Sequence, residues 1–204
     1  MKFVTIETVN SCLSQIDMRI GEWNQITDNQ LNGNNTGGWL NYAAPKDSHM
    51  LFKFSEHVAG WLPKGKWKIL QIDNSTYLDA VQENFLGQFL RVEGAERLSE
   101  TRSLLFEFGA SKRQDQKLEL LIAQLIFIFL LFECHVHVVS SGSVAGQLLS
   151  IQDGFVYFQS REMNVQGAEL LLDSFRRNPD LSPEWVGEIV AEDQERRLDG
   201  IIER

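Results

Sequence analysis

The strongest constraint on the fold of this chain is an apolar run at residues 118–132, LELLIAQLIFIFLLF, which passes into CHVHVVSSGSVAGQLLSIQDGFVYF at 134–158. The run is long and leucine-rich enough for a helix that is apolar on nearly every side, and such a helix has to be buried. Beyond it the hydrophobic period changes. Residues 135–140, 147–152 and 155–159 read as strands, separated by a Ser/Gly turn at 141–146 and by Asp153-Gly154. Asp-Gly tolerates the positive φ that both central positions of a type I′ hairpin need. A long apolar helix packed against a C-terminal β-meander is therefore the expected core.

Upstream, residues 2–9 alternate as a strand, and Asn10 or Ser11 can cap a helix through about Gly21. Residues 27–38, TDNQLNGNNTGG, lack periodicity and read as a polar, Asn/Gly-rich flexible loop ahead of Trp39 and Tyr42. HMLFKF at 49–54 reads as a strand and 55–61 as a short helix. WKILQI at 67–72 alternates as a strand. Asp73, Asn74, Ser75 and Thr76 then offer side-chain oxygens to cap a helix over 77–90, with Leu78, Val81, Phe85, Leu86 and Phe89 on its apolar stripe. SLLFEF at 103–108 is a further strand, and the long helix covers about 114–132. After the meander, 166–177 is helical up to Asn178-Pro179. Ser182 caps a last, acidic helix over 182–199, with Pro183 at its first position. The expected architecture is a single domain over 1–204 of the α/β or α+β class, with a mixed, mostly antiparallel sheet.

At 204 residues, one domain buries roughly 70% of its unfolded surface and needs no disulfide or metal staple. The two cysteines, Cys12 and Cys134, are far apart in apolar surroundings, which suits reduced thiols in a cytoplasmic compartment. The opening MKFVTIETVNSCL carries Glu7 and lacks the continuous apolar region of a signal peptide. The run at 118–132 is 15 residues long and interrupted by Glu119 and Gln124, short of the roughly 20 that span a bilayer. No membrane association is expected.

The chain carries 28 acids against 19 bases, a net charge of −9. That balance argues against direct nucleic-acid binding, which requires a basic footprint. Eight of the acids and three of the bases lie within 178–204, a net −5 concentrated at one end. Glu184, Glu188, Glu192 and Glu195 fall at three- and four-residue spacing beside Asp193, and Trp185 occupies the other side of the same helix. A solvated terminal helix is the plain reading of this stripe. A partner-binding surface, anchored by Trp185 and steered by charge, is the functional one.

Catalytic motifs are scarce. On a strand, His135 and His137 project to one face and Cys134 to the other, so two ligands converge where zinc needs three or four. The simpler expectation is that the histidines face solvent while Cys134, Val136 and Val138 pack inward. The Ser140–Gly146 stretch feeds a strand rather than a helix, which suits a hairpin loop and not a phosphate cradle. Ser140 and Ser141 lie near His137 without a nucleophile-elbow pattern, and Glu107 and Asp153 have no partner at an acid/base spacing. Asp73, at the end of a strand, is the best-placed functional acid. Its alternative role is capping the next helix.

The acidic α/β chain, the strand–Asp-Asn-Ser-Thr–helix unit at 67–90 and the Asp-Gly hairpin at 147–159 give it a general resemblance to bacterial immunity proteins of polymorphic or contact-dependent toxin systems. The resemblance implies a cytoplasmic, non-enzymatic stoichiometric inhibitor, without a cofactor or metal, whose partner is a cognate and basic toxin domain, often a nuclease. Glu184, Trp185, Glu188, Glu192, Asp193 and Glu195 are the candidate partner-binding residues. Two alternatives stand beside it: an adaptor subunit of a larger assembly, and a small metal- or ligand-binding enzyme using Asp73, His135 and His137.

Overall fold

The structure is a computed structural model. It describes residues 1–22, 25–28, 38–92, 102–143 and 147–160, together with Ala168 and Leu172. Along the chain run β1 (Lys2–Phe3), α1 (Ile6–Leu13), a 3-10 turn (Ser14–Ile16), β2 (Met18–Ile20), β3 (Ile26–Asp28), β4 (Gly38–Ala43), α2 (Ser48–Trp61) and β5 (Trp67–Ile72). Then come α3 (Ala80–Val92), β6 (Ser103–Glu107), α4 (Lys112–Leu131), β7 (Val136–Ser140), β8 (Leu148–Gln152) and β9 (Phe155–Ser160). Seven strands form one sheet in the order β1-β6-β5-β7-β8-β9-β4, and β2 pairs with β3 separately. Every described pairing is antiparallel. The class is α+β.

Alternation along the strands divides the sheet between two cores. Leu70, Ile72, Leu104, Phe106, Val136, Val138, Leu149, Ile151, Val156 and Phe158 face a helical layer of α2, α3 and α4. Ile69, Leu105, Val139 and Leu148 face the other way, under Val9 and Leu13 of α1 and Ile16, Met18 and Ile26. The apolar run at 118–132 is the centre of the first core. Ser111 caps α4 by accepting from the N–H of Gln114 at 3.2 Å, and Asp115 in its first turn complements the helix dipole. The meander forms as expected: Asp153 and Gly154 have φ of 51° and 75°, the type I′ signature.

Four local expectations are corrected. The strand expected over 2–9 stops at Phe3, because Thr5 accepts from the N–H of Thr8 and starts α1 five residues before Asn10. HMLFKF is helical within α2: Asp47 Oδ1 caps it through the N–H of Met50 at 2.9 Å, and Leu51, Phe54, Ser55 and Val58 bury one helical face. The expected loop at 27–38 is narrower, since Thr27 and Asp28 belong to β3 and Gly38 opens β4. In α3 the helix starts at Ala80, capped by Asp79 Oδ1 to the N–H groups of Val81 and Gln82, both at 2.8 Å. Its buried residues are Leu86 and Leu90, whereas Val81 is 78% and Phe85 50% exposed.

The loop after β7 docks on the turn before β5. Ser141 Oγ accepts from the N–H groups of Lys66 and Trp67 at 2.7 and 3.1 Å, and Ser140 Oγ donates to the Pro63 carbonyl at 2.8 Å. Gly65 and Gly142 meet there, and a Cβ on Gly142 would run into the Lys64 carbonyl. Of the helix expected over 166–177, Ala168 and Leu172 are described, helical and buried. The acidic helix at 182–199 lies outside the described residues.

Candidate functional site

Strand register lines up a row of polar side chains on the sheet face opposite α2 and α4. Ser103 of β6 is opposite Gln71 of β5, and Gln71 is opposite His137 of β7. His137 is opposite Ser150 of β8, Ser150 opposite Tyr157 of β9, and Tyr157 opposite Asn41 of β4. Directly facing positions are close enough for side chains to bond across strands. Ser103 Oγ donates to Gln71 Oε1, and the Gln71 amide donates to its neighbour's carbonyl at Ile72. The apolar row under α1 therefore gives way, two residues along each strand, to a hydrogen-bonded one.

At the end of β5 the chain turns sharply at Asp73. Its Oδ1 accepts from the Ser75 N–H at 2.8 Å and its carbonyl from the Thr76 N–H at 3.1 Å. Asp73 thus shapes the turn but does not cap α3, a task that falls to Asp79. The Asp73 N–H donates to the His135 carbonyl at 2.9 Å. Thr76 Oγ1 clamps the same residue by donating to its carbonyl and accepting from its N–H, both at 2.9 Å.

This brings the three sequence candidates Asp73, His135 and His137 together, with serines that sequence reasoning did not single out. His135 Nδ1 bonds Ser75 Oγ at 2.7 Å, and its Nε2 meets Asp153 Oδ1 at 2.9 Å. His137 Nδ1 bonds Ser150 Oγ at 2.8 Å, and its Nε2 lies 3.8 Å from Asp73 Oδ2. The two assemblies share one polarity. A carboxylate at Nε2 favours the proton there, which leaves Nδ1 to accept from a serine hydroxyl. Both histidines are part-buried rather than facing open solvent as expected, and His137 is only 13% exposed. Ser140 and Ser141 do not join them, being engaged with the turn before β5.

Burial pushes the Asp73 carboxyl up. Its contacts with His137, with the Ser75 N–H, with the Gln25 side chain and with the Ser75 hydroxyl outweigh that, holding it well below the usual carboxylate range. At 3.8 Å the His137 contribution is through space rather than a formed hydrogen bond. A carboxyl whose pKa is depressed on folding stabilises the native state fully above its unfolded value, and loses that contribution as pH falls toward the folded value. Asp73→Asn is accordingly expected to flatten the loss of thermal stability below about pH 4. An unchanged acid limb in a melting series from pH 6 to pH 2 would assign the acid sensitivity elsewhere.

The remaining candidates lie apart. Cys134 faces the helical core, where burial pushes its thiol up to about 12, and Cys12 is raised by burial and by Glu107 against Lys2. Both cysteines are free. His49 and His57 lie on α2, and Glu107 pairs with Lys2 at 2.9 Å. Among the described residues no three metal-binding groups converge, and no helix is long and apolar enough to cross a membrane. Glu184, Trp185, Glu188, Glu192, Asp193 and Glu195 lie outside the described residues.

A second surface stands out on α3. Val81, Phe85, Gln88 and Val92 are spaced by four, three and four, which puts them on one stripe of the helix. Tyr77 precedes them, and all four apolar members are exposed. Asp79 and Glu83 are the acids of this stretch. Phe85 is steadied edge-to-face against Phe132, ring centroids 5.8 Å apart. The molecule is thus an α+β protein with a polar, histidine-bearing sheet face and an exposed apolar helix stripe. No family model, curated protein or solved structure matches the chain.

Proposed function

We propose that this chain is a cytoplasmic immunity protein, a stoichiometric inhibitor that binds a basic toxin domain. The observation that carries the reading is the exposed stripe of α3: large apolar side chains in contiguous array mark a docking surface rather than ordinary solvent-facing helix. Tyr77 and Phe85 are of the type that anchors interfaces. Charge selects the occupant. Asp79 caps the same helix, the whole chain is at −9, and residues 178–204 hold −5 of it. Such a field steers a basic domain and competes with the phosphates of its nucleic-acid substrate. Free cysteines suit a reducing compartment.

The partner to test is the product of an adjacent open reading frame ending in a small basic domain, bound to this chain in stopped-flow experiments. Reversing Glu184, Glu188 and Glu192 to lysine is expected to slow association at least about tenfold at low salt and much less at high salt. Phe85→Ala is expected to speed dissociation instead. If neither rate moves, both surfaces are misassigned.

The paired serine–histidine–aspartate assemblies favour a second reading, an acyl-transferring enzyme in which His135 or His137 takes a proton from Ser75 or Ser150. Turnover of an activated ester that disappears on changing both histidines to alanine, with the melting curve intact, would support it. Equal rates in both proteins would remove it.

A further inference from the structure

Behind the turn at Asp73 lies a cleft of about 610 Å³, within the range of small-molecule sites. We propose that it binds a small oxyanion-headed molecule through Arg102. The cleft is walled by α3, whose Ala80, Glu83, Asn84 and Gly87 recur at the spacing of one helical face, distinct from the Val81–Phe85 stripe. Ile72 and Leu78 supply apolar surface and Thr76 borders the turn.

Arg102 is the cation of this cleft, and among the described residues it forms no ion pair. Its Nη1 donates to the carbonyls of Asp73 and Thr76 at 2.9 and 3.4 Å. No carboxylate pairs with it among the described residues, unlike Lys2 and Lys68, which each hold a glutamate. A guanidinium stays charged at any ordinary pH, and partial burial without an anion is costly. The carbonyl contacts fix the group and, among the described residues, leave Nη2 and Nε for the bidentate recognition of a carboxylate or phosphate. Asn84 adds a donor, since its Oδ1 accepts from Gln88 while its Nδ2 holds no partner among the described residues. Glu83 lines the same cleft and opposes a bare multivalent anion. It accepts instead from a hydroxyl or ammonium, so the ligand class is a small molecule with an oxyanion head and a donor on its body. This site is independent of toxin binding, because it uses another face of α3.

The test is an NMR titration of the whole chain at fixed ionic strength in chloride, with inorganic phosphate, glycerol phosphate, acetate and lactate as probes. Saturable shifts at Thr76, Glu83, Asn84 and the Arg102 Nε–H are expected, larger for the probes that carry a hydroxyl. A response to the phosphates alone or to the carboxylates alone assigns the head group. Arg102→Gln is expected to weaken binding at least about tenfold. Because Arg102 also holds the turn, Ala80→Phe gives a second route: it fills the cleft from the helix and should abolish the shifts with the turn intact. Shifts that persist in both variants mean an adventitious ion only and overturn the proposal, as does the absence of a saturable response to all four probes.

Discussion

Phe158→Ala is expected to lower the free energy of unfolding by about 3–5 kcal/mol, the cost of a large aromatic removed from a core that cannot collapse around the void. Phe158 is fully buried and sits edge-to-face on Trp61 of α2, ring centroids 5.0 Å apart. On either side its strand neighbours are Leu40 of β4 and Leu149 of β8. Deleting the ring therefore loosens the helical layer from the sheet and weakens an edge strand in one step. Urea unfolding should show a lower midpoint with an unchanged slope. Phe85→Ala is the useful contrast, because its ring is half exposed and its loss should cost about 1 kcal/mol or less. Equal losses at the two sites would mean that α3 is packed more tightly than its exposure indicates.

The second large effect concerns charge. Lys68 of β5 points into the helical layer with its side chain only 2% exposed, and its Nζ meets Glu119 of α4 at 2.7 Å. Phe108 lies beneath the ammonium, 5.7 Å from nitrogen to ring centroid. Glu119→Ala strands that ammonium in an apolar layer, at an expected cost of about 3 kcal/mol, toward the low end for such pairs because Glu119 is one-third exposed. Replacing both partners, Lys68→Met with Glu119→Leu, should return stability to within about 1 kcal/mol of the parent, since neither desolvated charge remains. If the double variant is as unstable as Glu119→Ala, the pair is not what holds Lys68 in place.

The parts of the fold that could be read from sequence are those where a single period decides the matter. WKILQI and SLLFEF bury one side or both of a strand, and the run at 118–132 is helical on any count. HMLFKF misleads because its apolar residues fit both periods over six positions, and only the Asp47 cap and Val58, one turn further on, separate them. In α3, five apolar residues looked like one buried stripe. They are two, and a hydropathy pattern does not say which faces the sheet.

The site was legible in its members but not in its pairing. Asp73, His135 and His137 stand at the ends of recognisable strands, and Asp153 was already marked by its hairpin. Ser150 opposes His137 only because β7 and β8 pair Val136 with Ile151, a register that depends on how the intervening loop is held against Lys66 and Trp67. Arg102 carried no signal at all. Its role depends on carbonyls that meet it only once β5 and β6 have paired.

Strand order also has a kinetic consequence. Both rims of the seven-stranded sheet come from early in the chain, yet β1 pairs with β6 and Leu40 of β4 has to wait for Phe158. During synthesis these early segments leave the ribosome long before their mates, and such remote closures make for slow folding. Molecular chaperones that shield nascent chains are the natural guardians of that interval.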